Sequence, residues 1–415
     1  MHNKGGWSFL FDDNTPVVNF KDELKYNFRR WLIDLLSIVP FLITLIVLFI
    51  YSKILKKNKK NKILLGTVPI ISFELLSKVL TRHKIDNTLF VFQDWSDGNF
   101  HTGISFKDIC SLSFINKSPY GFGPYIAFLW ALKNFDIYCL YFDSGFLERT
   151  IFWKIEPILY QIFDKKVLMI PYGNDVWSTK QNKNRIHKMG HIVSMKKYFF
   201  LDKKREDRIF HWSKYVNLII ASSNYIDYLQ RIDILVYHGH IIDNIDNYSY
   251  CFKKDRKIKL MHYANDSFRK GSAYIESTLK VSNYDIELEF CYALPRKILF
   301  SKLDNSHFYI EQVVDGFFSY STFEALLKGK IVFTYLDESL NETYKIINSD
   351  YYIDFFENSP IVNINSKNMQ SKIQEYLNKD FEELKEISLN SREFAKKLLL
   401  ENEKMYVDIF NKLKS

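Results

Sequence analysis

The twenty residues from Glu311 to Lys330, EQVVDGFFSYSTFEALLKGK, combine the residue types needed to hold an anion beside a hydroxylated ring. A polar turn containing Asp315, Gly316, Ser319 and Ser321 runs into a short amphipathic helical segment that carries Glu324, and Gly329 stops it. A turn feeding a helix N-terminus leaves backbone N–H groups unpaired at a positive dipole end, which suits a phosphate. A carboxylate one or two turns further on accepts hydrogen bonds from sugar hydroxyls, as the acidic residue of dinucleotide-binding folds does. Phosphate and ribose chemistry side by side point to a nucleotide.

Other loops offer polar groups at the ends of apolar runs. Asp143-Ser144-Gly145 follows one, Pro171-Tyr172-Gly173-Asn174-Asp175 a second and Ala221-Ser222-Ser223-Asn224 a third. A long aromatic loop from Asp94 to Tyr125 includes His101 and offers room for an acceptor, since long loops are often functional. For Gly173-Asn174-Asp175 the simpler reading is turn chemistry with a helix cap. His238-Gly239-His240 has two imidazoles but no third ligand nearby, so it reads as a strand-end turn rather than a metal site. Cys110, Cys139, Cys251 and Cys291 are scattered without a CxxC pair, indicating neither a zinc site nor a disulfide framework.

The elements that must position these loops alternate. Strand-like runs at 63–67, 88–92, 136–142, 166–170, 216–221 and 234–237 are separated by helical patterns at 72–82, 146–163 and 195–212. Residues 244–257 are polar and charged and read as a linker. A second series follows, with strands at 258–263, 286–290, 308–310 and 331–333 and a helix ending near Val281. Strands alternating with helices predict mainly parallel sheets covered on both faces, with ligands beyond the carboxyl ends of the strands.

A chain of 415 residues exceeds what one core usually holds, and with 47% hydrophobic and 17% aromatic residues it has material for two. The formal charge is +9, with the excess concentrated in Lys53–Lys62 and Lys180–Arg208. No nucleic-acid-binding signature accompanies either segment, so an anionic membrane surface and phosphorylated ligands are the expected partners rather than nucleic acid. Leu35 to Ser52 is uncharged and almost wholly apolar, about the length of a bilayer-crossing helix. Six lysines follow it, which places the larger part on the cytoplasmic side of a cell inner membrane as a single-pass protein. An interfacial helix bent at Pro40 is the alternative.

Two α/β units joined by a linker resemble the glycosyltransferases of GT-B fold. His262-Tyr263-Ala264-Asn265 through Arg269-Lys270-Gly271, with Glu311 through Ser319, Phe323-Glu324-Ala325 and Gly329-Lys330, are similar to the two donor-site blocks of glycosyltransferase family 4 (group 1), of the membrane-anchored type that builds bacterial surface polysaccharides. Leu65-Gly66-Thr67 and Ile170 through Val176 sit like that fold's glycine loops. The resemblance implies two Rossmann-like domains facing a cleft, an acceptor domain over 62–245 and a donor domain over 257–385. A terminal helix over 386–415 would pack back on the first domain, the membrane helix would occupy 35–55, and residues 1–34 would form a polar lead.

It implies transfer of a hexosyl-type sugar, with retention, from a nucleotide sugar to a lipid-linked saccharide or glycolipid. The residues carried over for donor binding are His262, Arg269, Lys270, Gly271, Glu311, Gln312, Gly316, Phe318, Ser319, Tyr320 and Glu324. Lys270 and Arg269 would meet the diphosphate and Glu324 the ribose, with Gly66, Thr67, Gly173 and Asn174 as glycine-loop residues. Asp143 and Asp175 would contact the acceptor. No D-x-D pair occurs, and neither a metal nor another cofactor is expected.

Five positions depart from the family pattern: Gly316 where relatives carry the first acid of an E-x7-E motif, Ser319 for glycine, Leu326 for a small residue, and Cys139 and Tyr141 where relatives tend to carry His. These departures also fit a catalytically degenerate subunit that binds a nucleotide sugar or an assembly partner.

Overall fold

A computed structural model of the protein describes residues 20–54, 61–92, 103–110, 121–194, 202–236, 240–282, 284–347 and 359–415. His101, His238 and Gly239 lie outside the described residues.

The first half contains seven parallel strands: β1 (Ile63–Thr67), β2 (Asn87–Val91), β3 (Ile104–Ser105), β4 (Ile137–Leu140), β5 (Lys166–Met169), β6 (Leu218–Ser222) and β7 (Ile234–Val236), in the order β3-β2-β1-β4-β5-β6-β7. β1 and β4 are buried at every position, so they read as continuous apolar runs rather than alternating ones. The second half contains β8 (Ile258–Ala264), β9 (Ile286–Tyr292), β10 (Phe308–Ile310), β11 (Ile331–Thr334) and β12 (Val362–Asn363), also parallel, in the order β12-β11-β10-β8-β9. Each sheet has cores on both faces, one pair around Tyr138 and Leu168, the other around Tyr309 and Ile310.

In each sheet the strand order reverses once, between β1 and β4 and between β8 and β10. Helices leave the sheet in opposite directions at such a point, which opens a crevice beyond the carboxyl ends. The loop after β8 carries Arg269-Lys270-Gly271 and the loop after β10 carries Glu311 to Ser319, so residues about forty apart in sequence meet at one switch point.

The last helix, Phe381–Lys414, is one continuous element that begins before the expected residue 386. A capping box of Asp380 and Glu383 starts it. Ser391 Oγ bonds back to Ile387 O at 2.8 Å and Ser388 Oγ donates to Gly329 O, so neither hydroxyl interrupts the ladder. Its first turns bury Leu384, Ala395, Leu398 and Leu399 on the second half, and its last bury Tyr406 and Phe410 on the first. The helix therefore ties the two halves together.

The N-terminal helix runs from Phe20 to Ile54, well before the expected start at residue 35, and passes through Pro40. The stretch Asn27–Ile50 is long and apolar enough to cross a membrane. One stripe of it packs on the first half. Phe41 meets Tyr125 at 5.0 Å and Phe152 at 5.2 Å, and Phe49 meets Phe163 at 5.9 Å. Asp34, 1% exposed, accepts bonds from Tyr125 Oη at 2.7 Å and Ile151 N at 3.2 Å and pairs with Arg30. The opposite stripe, including Leu36, Val39, Ile43 and Val47, is exposed.

Candidate active site

A cavity of about 300 Å³ lies between the carboxyl ends of the two sheets. The first half supplies Ser72 and Phe73 after β1, Tyr141 after β4, Tyr172, Asn174 and Trp177 after β5, and Asn224 after β6. The second half supplies Arg269, Glu311, Asp315 and Phe317 through Tyr320.

Glu311 is fully buried and organises the second-half wall. Its Oε1 accepts from Lys270 Nζ at 2.8 Å and Ser319 N at 2.9 Å, and from Ser319 Oγ; its Oε2 accepts from Thr322 Oγ1 and from Thr334 Oγ1 at 3.3 Å. Burial pushes this carboxyl up, but the Lys270 ammonium and the hydroxyl donors together hold it below its ordinary value. The charged pair thus fixes Ser319, the residue preceding the Tyr320–Leu327 helix, with its amide and hydroxyl tied back to β10.

Gln312 shapes the turn between them. Its Oε1 accepts from Val314 N at 2.6 Å and Asp315 N at 2.7 Å, and its Nε2 donates to Phe317 O at 2.7 Å and Tyr335 O at 2.8 Å. Gly316, at φ +72°, takes the left-handed step this turn needs. An acid there would carry that strain and place its Cβ 3.2 Å from Asn184 Nδ2 and Asp337 Cβ. Gly271, at φ +69°, ends the Ser267–Lys270 turn and opens the Ser272–Val281 helix; an added Cβ would lie 2.5 Å from Val313 Cγ2.

Arg269 reaches the cavity, stacked 4.4 Å over the Trp177 ring and bonded through Nη2 to Asp315 Oδ2 at 3.2 Å. Beside it, His187 Nε2 and His191 Nε2 lie 2.9 Å apart. Burial lowers both imidazole pKa values, His191 to about 3. Burial raises Asp315, but Arg269 and His187 bring its carboxyl below the ordinary range.

Glu324, one turn into the Tyr320–Leu327 helix, is 7% exposed and pairs with Arg296, whose Nη2 also donates to Tyr248 Oη at 3.1 Å. Burial pushes Glu324 up to about 7, against the pull of Arg296. His240 is held among Tyr320 (4.4 Å), Phe323 (5.4 Å) and Phe318 (6.0 Å), and burial lowers its pKa to about 4.

This architecture recurs in known proteins. Sucrose-phosphate synthase from Thermosynechococcus elongatus is similar over 85% of this chain and 98% of its own, with a TM-score of 0.55 and 10% identity. HepE of Anabaena, solved in complex with UDP-glucose, is similar over 85% and 99%, with a TM-score of 0.54 and 10% identity. The catalytic domain of starch synthase IV from Arabidopsis thaliana, bound to ADP and acarbose, is similar over 85% and 98%, with a TM-score of 0.51 and 10% identity. No protein-family model matches the chain, and no curated protein does. The chain has the GT-B fold.

Within this GT-B frame the expected residues take different places. Arg269, Glu311, Phe318, Ser319, Tyr320 and Asn174 line the cleft. Lys270, Gln312, Gly316, Gly271 and Glu324 stand behind that wall, outside the cavity lining. His262 is fully buried, its Nδ1–H donating to Ile310 O at 2.9 Å and its Nε2 accepting from Ser272 Oγ at 2.8 Å, which joins β8 to β10.

Other expected residues serve the first sheet. Gly66 is inside β1 opposite Phe90, Thr67 Oγ1 donates to Ser144 O at 3.0 Å, and Gly173 N donates to Asp175 Oδ1 at 2.9 Å. Asp175 also accepts from Tyr172 N at 3.0 Å and Phe142 N at 3.2 Å, and Asp143 accepts from Tyr172 Oη at 2.8 Å. Neither carboxylate lines the cavity, and burial raises the pKa of both. Their geometry is that of loop braces.

Sequence reasoning missed Trp177 and His187 as cleft residues, His187 lying in a segment read only for its positive charge, while Asn224 lies in a strand-end loop it had singled out. The spacing of His187 and His191, one helical turn apart, was the available signal.

Proposed function

We propose that the protein is a family 4-type glycosyltransferase that moves a hexosyl group from a nucleotide sugar to a membrane-associated acceptor, a lipid-linked saccharide or glycolipid of surface polysaccharide assembly. One observation carries this reading: the switch-point loops of both parallel sheets converge on one cavity, and the second-half wall presents Arg269 beside the start of the Tyr320–Leu327 helix.

The chemistry follows from the charges. As the bond from the sugar's anomeric carbon to the diphosphate breaks, the leaving oxygen gains negative charge, and a preorganised cation and helix N-terminus stabilise it. Arg269 is the cation on the cavity side. Lys270 acts one step back, through Glu311, by fixing Ser319 at the helix start. Glu324 offers its carboxylate to ribose hydroxyls once its pairing with Arg296 is shared. These groups supply the work a divalent ion does in other transferases, so donor handling needs no metal. The acceptor hydroxyl enters from the first-half side, where Tyr141, Tyr172 and Asn224 line the cavity, and transfer proceeds with retention.

The exposed stripe of the Phe20–Ile54 helix supports membrane attachment, with the globular halves on the cytoplasmic face. Gly316 and the occlusion of Asp143 and Asp175 favour a second reading, a non-catalytic subunit that binds nucleotide sugar without transfer. Incubation with a panel of nucleotide sugars and membrane extract separates the two. Release of nucleoside diphosphate supports the transferase; saturable binding without release supports the subunit.

A further inference from the structure

Three side chains around the cleft are arranged as a metal site. His187 and His191 lie one turn apart on the Arg185–Ser194 helix of the first half, and Asp315 comes from the loop after β10 in the second. One ligand atom from each falls within 4.8 Å of the others. The two Nε2 atoms point at each other across 2.9 Å, and Asp315 Oδ1 is 3.8 Å from His187 Nε2. Donors on a tetrahedral ion with bonds of about 2.0–2.1 Å stand roughly 3.3–3.4 Å apart, so the imidazoles need open by only a few tenths of an ångström, while the carboxylate must close by about 0.4 Å on His187 and by at most about 1.4 Å on His191.

The surroundings fit as well. Asp315 Oδ1 is buried without a hydrogen bond, while Oδ2 is held by Arg269, the arrangement in which an outer partner orients a ligating carboxylate. Trp177 packs edge-on against both imidazoles at 5.4 and 4.7 Å and fixes their planes. Gly190, between the two histidines in the helix, allows the approach: an added Cβ would lie 2.6 Å from Val314 Cγ1. A plain imidazole–imidazole hydrogen bond explains the 2.9 Å contact, but it leaves Asp315 Oδ1, 3.8 Å from His187 Nε2, without a hydrogen bond.

We propose that His187, His191 and Asp315 bind one zinc-class divalent transition-metal ion across the cleft, with a fourth coordination position open toward the cavity. Two imidazoles and a carboxylate with an open position suit zinc and its neighbours rather than magnesium or calcium. Because the ligands come from both halves, the ion binds the closed arrangement and opposes its opening. Donor handling by Arg269 and the helix start does not use it.

The test needs no nucleotide, so it stands or falls apart from the transferase reading. The purified full chain in detergent is stripped with a chelator and titrated with Zn²⁺ against a chromophoric competitor, and separately with Co²⁺ while its visible spectrum is recorded. The expected result is one tight ion per chain and a tetrahedral-type Co²⁺ spectrum. Asp315→Asn and His191→Gln should each weaken Zn²⁺ binding tenfold or more, and Arg269→Lys should weaken it measurably through Asp315. Asp315→Asn keeps the side chain's size, so it remains informative if a histidine variant misfolds. Absence of stoichiometric Zn²⁺ binding, or variants that bind as tightly as the parent, would overturn the proposal.

Discussion

Replacing Lys270 with Ala exposes what the Glu311 pair does. The substitution strands a carboxylate that is 0% exposed, and breaking a buried pair in this way costs about 3–5 kcal/mol. Glu311 keeps donors from Ser319, Thr322 and Thr334, which places the loss at the lower end, about 3 kcal/mol. At roughly 3 °C per kcal/mol for a domain of this size, the second half should melt about 10 °C lower. The pH dependence has a definite sign. With Lys270 present, the Glu311 pKa lies below its ordinary 4.5, so the pair's contribution is present above that pH and fades only in stronger acid. Without Lys270, burial dominates and raises the pKa, so the deficit of Lys270→Ala should be largest at neutral pH and shrink toward pH 4.5. The double variant Lys270→Met with Glu311→Gln removes both charges and should regain most of the melting temperature while transfer stays low, because Ser319 is no longer held in place. Thermal melts from pH 4 to pH 8 with kcat/KM measured on the same samples are the assay. A Lys270→Ala protein that melts within about 2 °C of the parent, or a double variant as unstable as the single one, would refute the stranded-charge reasoning.

Glu324→Gln should flatten the pH dependence of stability: the parent's raised pKa means stability is lost as pH climbs from about 4.5 through about 7, a slope that melts of the variant should lack. Asp175→Asn can leave up to two of three backbone donors unpaired, at about 1–3 kcal/mol each, and should lower the melting temperature far more than it alters KM for the donor. Gly316→Glu, which restores the family's acid, should cost about 1–3 kcal/mol by the φ +72° strain and leave transfer no faster, as melts and rates on the same preparation will show. Deleting residues 1–54 should destabilise the first half as well as detach it from membranes, since Tyr125 loses its Asp34 partner and Phe152 its cover; sedimentation with vesicles and a melt report the two effects separately.

What the sequence made legible was local. The turn from Asp315 to Ser321, the helix with Glu324 and the strand after Lys330 follow from residue types and spacing, and all three elements are present. Strand alternation identified parallel sheets because buried parallel strands leave continuous apolar runs. The pairing of Lys270 with Glu311 was not legible, because it depends on β10 lying next to β8, a tertiary fact no spacing encodes. The cluster of His187 and His191 with Asp315 was hidden for the same reason, Asp315 lying more than a hundred residues from the two histidines. The hydroxyls of Ser388 and Ser391 find backbone acceptors within a continuous terminal helix, and Asp34, inside the N-terminal helix, is satisfied by Tyr125 and Ile151, contacts that only the fold supplies. Asp143 and Asp175 drew attention as carboxylates at strand ends, where bracing a loop and serving a substrate look alike in sequence.

Nucleotide recognition by the cleft is tested most directly by thermal-shift titration of the full chain with uridine, guanosine, adenosine and cytidine diphosphates, alongside an Arg269→Ala control. At least one nucleotide should raise the melting temperature saturably in the parent and do so more weakly in the control. A parent protein whose melting temperature responds to none of them would contradict a nucleotide-sugar transferase.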